Sequence, residues 1–94
     1  MTSPWVRDEL GFYLLAGAPD SPRDLITELA DGEALGFGTA FISERFNVKE
    51  SATLSGAAGV VSRRLRIATA ATNHNLRHPM VTAAHATTMH RLTG

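Results

Sequence analysis

With 94 residues the chain has room for one domain at most, and 44% hydrophobic against 19% charged side chains is the make-up of an ordinary globular fold. Nine basic and nine acidic residues cancel and Lys49 is the only lysine, so neither nucleic acid nor an anionic membrane surface is an expected partner. The absence of cysteine excludes disulfides and thiolate metal sites. The opening MTSPWVRDELG carries no apolar signal core, and no apolar run approaches the roughly 18 residues of a membrane helix, so a cytoplasmic location is the expectation.

In chain order, Leu10 to Ala16 reads LGFYLLA and is bounded by Gly17, Ala18, Pro19 and Asp20, the pattern of a strand buried on both faces. Ser21 as N-cap, Pro22 at the first helical position and Asp24 at the third open a helix over about 22–35. Leu25, Ile26, Leu29 and Ala30 supply its inward stripe, and Gly36 with Gly38 end it. A second strand is expected over 39–43. Glu44, Arg45, Phe46 and Asn47 leave its end, and a helix over about 49–64 carries Ala52, Leu54, Ala57, Ala58, Val60 and Val61. Gly56 and Gly59 cost that helix about 1 kcal/mol each relative to alanine, so they are expected to allow close approach to the sheet. Arg63 and Arg64 suit its carboxyl end. A third strand over 65–71 leads into the polar turn Thr72, Asn73, His74, Asn75. His78 and Pro79 then begin a helix over about 79–92, with Val81, Ala84, His85, Thr88, Met89 and Leu92 on one face.

Strand and helix thus alternate three times with a period of roughly 30 residues, as in βαβ units. Parallel strands joined by right-handed crossovers follow. Two architectures begin this way: the first three units of a TIM-type (β/α)8 barrel with strand order 1-2-3, or half of a doubly wound open sheet. Both place ligands at the carboxyl ends of the strands. There, Glu44 is a strand-end acid suited to positioning or protonating a substrate, or else a solvated carboxylate paired with Arg45. Thr72 and Asn73 offer a hydroxyl and an amide to a pyrimidine-like ring edge, or else simple turn chemistry.

Other features carry less. His74 and His78 stand four apart, but Asn75 and Pro79 argue against a helix there and no third ligand is evident, so no metal is expected. His85 lies on the apolar stripe and reads as a hydrogen-bonded core histidine, while His90 faces solvent. Gly36-Phe37-Gly38 lies between helix and strand, the wrong order for a dinucleotide fingerprint.

The text from Ile67 to Asn73 and through Arg77-His78-Pro79, followed by an alanine-rich helix ending Met89-His90-Arg91-Leu92-Thr93-Gly94, resembles the third βα unit of the luciferase-like monooxygenase superfamily. Gly36 to Arg45 resembles that family's second strand and its acidic end, so the resemblance spans nearly the whole chain. Within the superfamily it looks closest to oxidoreductases that use the deazaflavin coenzyme F-420, with FMN-dependent monooxygenases as the alternative. The resemblance implies a barrel whose strand ends hold the cofactor ring, with hydride passing between cofactor and a small organic substrate. It implies Glu44 and Arg45 as catalytic residues, Ala70, Ala71, Thr72 and Asn73 as cofactor-binding, and Asn47 and His78 as substrate-binding. The family usually has histidine after the acid; Arg45 here departs from that pattern and removes a histidine general acid at this point. The resemblance also implies a cis peptide at Ala70–Ala71 in the complete barrel, and trans where the rest of the barrel does not hold it.

A complete barrel of this kind runs to about 250 residues, so the chain is expected to be its amino-terminal part. A different class of reading rests on length alone: a non-catalytic βα module that assembles with itself or with a partner barrel fragment. Both readings leave sheet edges uncovered, which makes self-association or the remainder of the barrel the expected partner.

Overall fold

Alternation along the second strand sets the layering. In a computed structural model that describes residues 7–72 and 76–94, β2 (Phe37–Ile42) buries Gly38, Ala40 and Ile42 while Phe41 is exposed. Residues two apart share a sheet face, so one face of β2 is covered and the other open. Strand β1 (Arg7–Tyr13) lies parallel on one side, with Gly11, Phe12 and Tyr13 opposite Thr39, Ala40 and Phe41. Strand β3 (Arg66–Thr69) lies parallel on the other, with Arg66 to Thr69 opposite Thr39 to Ile42. The order is β1-β2-β3. The covering layer is α1 (Leu25–Ala34), which continues a 3-10 turn at Pro22–Asp24, and α2 (Ser51–Val61). Leu25 and Leu29 of α1 with Leu54 and Ala58 of α2 form one core with Leu14, Leu15, Ala40, Ile42 and Leu65. On the open face Tyr13 and Phe41 meet ring to ring at 6.3 Å. A Cβ on Gly11 would fall onto the Phe41 ring, so glycine is what lets that ring lie across β1.

Local chemistry explains the element ends. Ser21 Oγ accepts from Arg23 N at 3.2 Å ahead of Pro22. Gly36, at φ 85°, closes α1 by taking the left-handed conformation that a side chain resists. One such residue suffices, so Gly38 belongs to β2 and the strand starts at Phe37, earlier than the paired glycines suggested. On α1 the buried positions are Leu25, Leu29 and Gly32, whereas Ile26 and Ala30 are exposed. The buried stripe is narrower than expected because no second layer covers the helix flank among the described residues.

The first apolar run also departs from expectation. Strand β1 stops at Tyr13, with Leu10 and Tyr13 exposed, while Leu14 and Leu15 are fully buried in the turn that follows. Leu15 sits at φ 53°, a left-handed conformation costing about 1–3 kcal/mol for a non-glycine residue. Two side chains hold it. Glu28 Oε1 accepts from Leu15 N at 2.8 Å and Lys49 Nζ donates to Leu15 O at 2.8 Å.

Helix α2 starts at Ser51, where Glu50 is the N-cap and its carboxylate accepts from Ala52 N at 2.7 Å and Thr53 N at 2.9 Å. Ser51, Leu54, Ser55 and Ala58 are buried; Ala57, Val60 and Val61 are exposed. Neither glycine serves approach to the sheet: a Cβ on Gly56 would meet nothing, and one on Gly59 would meet Thr93 Cγ2 at 2.8 Å, on α3 (Pro79–Thr93). Gly59 therefore sets the helix–helix distance. Arg63 and Arg64 lie beyond the end of α2 and serve α1 instead. Arg64 donates to the carbonyls of Glu33 and Phe37, and the Glu33 carboxylate accepts from the backbone N–H groups of Arg63, Arg64 and Leu65.

Burial works against the charged form of Glu33, but the N–H donors of Arg64, Arg63 and Leu65, with the Arg64 charge, outweigh it and hold the carboxyl below the usual glutamate range. A lowered folded pKa contributes stability above the unfolded value of about 4.3, and that stability is lost as pH falls through the folded pKa. Replacing Glu33 with alanine is therefore expected to cost about 1 kcal/mol at neutral pH. The gap between wild type and Glu33→Ala, read from melting temperature in steps from pH 7 to pH 3, should close at the acid end; a gap independent of pH would contradict it.

Helix α3 begins as its sequence suggests, with His78 Nδ1 accepting from Met80 N at 3.0 Å ahead of Pro79. It lies on α2 and contributes no buried residue; Val81 and Leu92 are exposed, and only His85 and Met89 are half-buried. His85 borders a cleft between α2, β3 and α3 and makes no hydrogen bond among the described residues, so it is not a satisfied core histidine. The described peptide bonds are all trans, Ala70–Ala71 included.

Candidate functional site

Beyond the regular strands, β2 and β3 stay joined: Ala70 N donates to Ile42 O at 2.8 Å and Glu44 N donates to Ala71 O at 2.7 Å. This holds the backbone of Glu44 level with Ala71 at the carboxyl edge of the sheet. The next residues make a tight turn in which Arg45 N donates to Lys49 O at 3.1 Å and Lys49 N to Arg45 O at 3.1 Å. Asn47 sits in it at φ 57°, a conformation asparagine tolerates better than most residues. Together these segments line an open groove of about 660 Å³.

Glu44, Arg45, Asn47, Ala71 and Thr72 all border that groove, so strand-end candidates from two separate loops converge. Ala70 lies just below, engaged in the sheet ladder. His78 is not on the groove wall; its Nδ1 is committed to the cap of α3. Asn73 and His74 fall outside the described residues. Among the described residues no three histidine or carboxylate side chains stand close enough to hold a metal.

The Glu44 carboxylate pairs with Arg77 rather than Arg45. Arg77 Nη1 donates to Glu44 Oε1 and Nη2 to Oε2, both at 2.7 Å, a fork-to-carboxylate arrangement that fixes both planes. Arg77 Nη2 also donates to Glu50 Oε2 at 2.7 Å, and Ser51 N donates to Glu44 Oε2 at 3.3 Å. Hydrogen bonding to Glu44 raises the Arg77 pKa despite desolvation, with further support from the charges of Glu44 and Glu50, so the guanidinium is permanently charged. The side-chain hydroxyl of Thr53, helped by the backbone N–H groups of Thr53 and Ala52 and by Arg77, lowers the Glu50 pKa against the opposing effect of burial. Arg77 therefore ties the β3–α3 loop to the end of β2 and to the start of α2.

Sequence reading missed Arg77, Glu50 and the Lys49–Leu15–Glu28 contact as parts of this site. Arg77 stands 33 residues from Glu44, and no periodicity connects them. The readable signal was weaker: an arginine just before a His-Pro helix start, in a loop already suspected of function.

The luciferase-like monooxygenase family model matches residues 6–94. A solved structure of the coenzyme F-420-dependent tetrahydromethanopterin reductase from Methanopyrus kandleri superposes with a TM-score of 0.68 at 28% identity, over 84% of this chain and 22% of that one. The chain thus spans about a fifth of the length of that enzyme. No curated protein sequence gives a significant match. The parallel β1-β2-β3 order, helices on one face and strand-end text accord with this likeness, which decides for partial-barrel architecture over a half open sheet: the chain belongs to the luciferase-like monooxygenase family.

Proposed function

We propose that the chain forms the first βα units of a deazaflavin-dependent oxidoreductase that transfers a hydride between coenzyme F-420 and a small organic substrate at the groove beyond β2 and β3. The observation that carries this reading is the fixed strand-end assembly, in which Glu44 and Arg77 hold two loops rigidly around Ala71 and Thr72. Preorganised strand-end loops are what a barrel needs for positioning a reaction.

The residues present fit a planar ring. Ala71 on the groove wall, with Ala70 just below it, carries no side chain beyond a methyl group, so a ring could approach the backbone closely, and Thr72 adds a hydroxyl for its polar edge. When bound, the deazaflavin supplies the hydride donor or acceptor. Glu44, held by two guanidinium N–H groups, acts as a positioned acceptor, and Arg45 and Asn47 on the same groove wall serve as substrate-side groups. FMN is the alternative cofactor against which this reading is weighed.

Equilibrium titration of the complete polypeptide with each cofactor tests the proposal: tighter uptake of F-420 is expected, and a preference for FMN would overturn the choice. Replacing Arg77 with glutamine or lysine should lower turnover by on the order of a hundredfold, since lysine keeps the charge but loses the fork. Full activity in Arg77→Lys would show that fixing Glu44 is irrelevant.

A further inference from the structure

The turn from Arg45 to Lys49 places two cations opposite each other in an antiparallel bridge. Like charges at directly opposed positions repel, so an anion between them is favourable. The nearby carboxylates spend their hydrogen bonds elsewhere: Glu44 and Glu50 both accept from Arg77, and Glu50 also caps the N-terminus of α2. The Arg45 side chain has no hydrogen-bond partner among the described residues, and Lys49 commits one donor to Leu15 O, leaving the other two of its three ammonium protons. Both residues border the groove. Beside them stand apolar side chains no core has claimed: Phe46 is 96% exposed and Leu76 82%, with Val48 also on the groove wall.

We propose that Arg45 and Lys49 form an anion seat, and Phe46, Val48 and Leu76 an apolar rest, which together select an organic acid with an apolar body as the substrate. This rests on the groove being the substrate mouth, as above. The Leu15 contact makes the seat stiffer than its exposure suggests, because Lys49 Nζ is anchored to a buried residue of the β1 end.

Isothermal titration of the complete polypeptide with octanoate and with 1-octanol, which share the apolar body and differ in charge, tests this directly. Octanoate is expected to bind about tenfold or more tightly, the worth of one charged hydrogen bond. The preference should vanish in Arg45→Gln, an exposed position whose replacement leaves the fold intact, and in Lys49→Gln, while Lys49→Arg retains it. Equal binding of both probes, or a preference that survives Arg45→Gln, would overturn the proposal. So would competitive displacement of octanoate by saturating F-420, which would assign the seat to the coenzyme's own anionic groups. If the polypeptide binds no deazaflavin yet keeps the charge-dependent preference, the cofactor reading falls and the anion seat stands.

Discussion

Replacing Leu29 with alanine is expected to destabilise the fold by about 2–5 kcal/mol. Leu29 is 1% exposed and packs from α1 into the one cluster that joins helices to sheet. Removing three carbons there loses transfer energy and leaves a cavity that Leu14, Leu15 and Ile42, each nearly fully buried, have little freedom to fill. Small domains have about 5–15 kcal/mol of stability in total, so the loss is a large share. The check is the urea midpoint at one fixed protein concentration, with Val60→Ala as the reference, because Val60 is 70% exposed and should shift by no more than about 0.5 kcal/mol. Equal shifts for the two variants would mean that Leu29 is not part of a packed core.

The 94-residue chain by itself is expected to sediment as a dimer or larger species at micromolar concentration. Among the described residues β1 and β3 are edge strands, each with a row of backbone groups that pair with no neighbour on the outer side. The open face adds Tyr13, 62% exposed, and Phe41, an aromatic pair that the opposite wall of a barrel would cover. A small chain buries too little of its surface to leave such a face wet without cost. A second copy can cover the edges, as can further strands of a complete barrel. Sedimentation combined with thermal unfolding decides the matter: a compact monomer with one cooperative transition would contradict the expectation. Deazaflavin turnover by the short chain alone would exclude its being a non-catalytic module.

What could be read from the sequence was mostly local. The Ser21-Pro22 and His78-Pro79 starts and the Gly36 stop are set by residues within one turn of the event, so composition displays them. The alternation of strand and helix was equally plain, because Leu25 with Leu29 and Leu54 with Ala58 repeat at helical spacing. The end of β1 was not: Leu14 and Leu15 continue an apolar run, and nothing in their side chains announces a left-handed turn stabilised by Glu28 and Lys49 from two other segments. The groove divides the same way. Glu44, Asn47 and Thr72 are polar residues just beyond the strand ends and could be named in advance, whereas Arg77 as the partner of Glu44 depends on tertiary geometry. The misjudged glycines make a related point, since Gly59 has a close neighbour only once α3 is laid against α2.

The most direct test of the central claim is a crystal structure of the complete polypeptide soaked with coenzyme F-420. The deazaflavin ring should lie against Ala70, Ala71 and Thr72 at the ends of β2 and β3, with the Glu44–Arg77 pair intact beside it. A ring bound away from these strand ends, with the groove left to solvent, would contradict it.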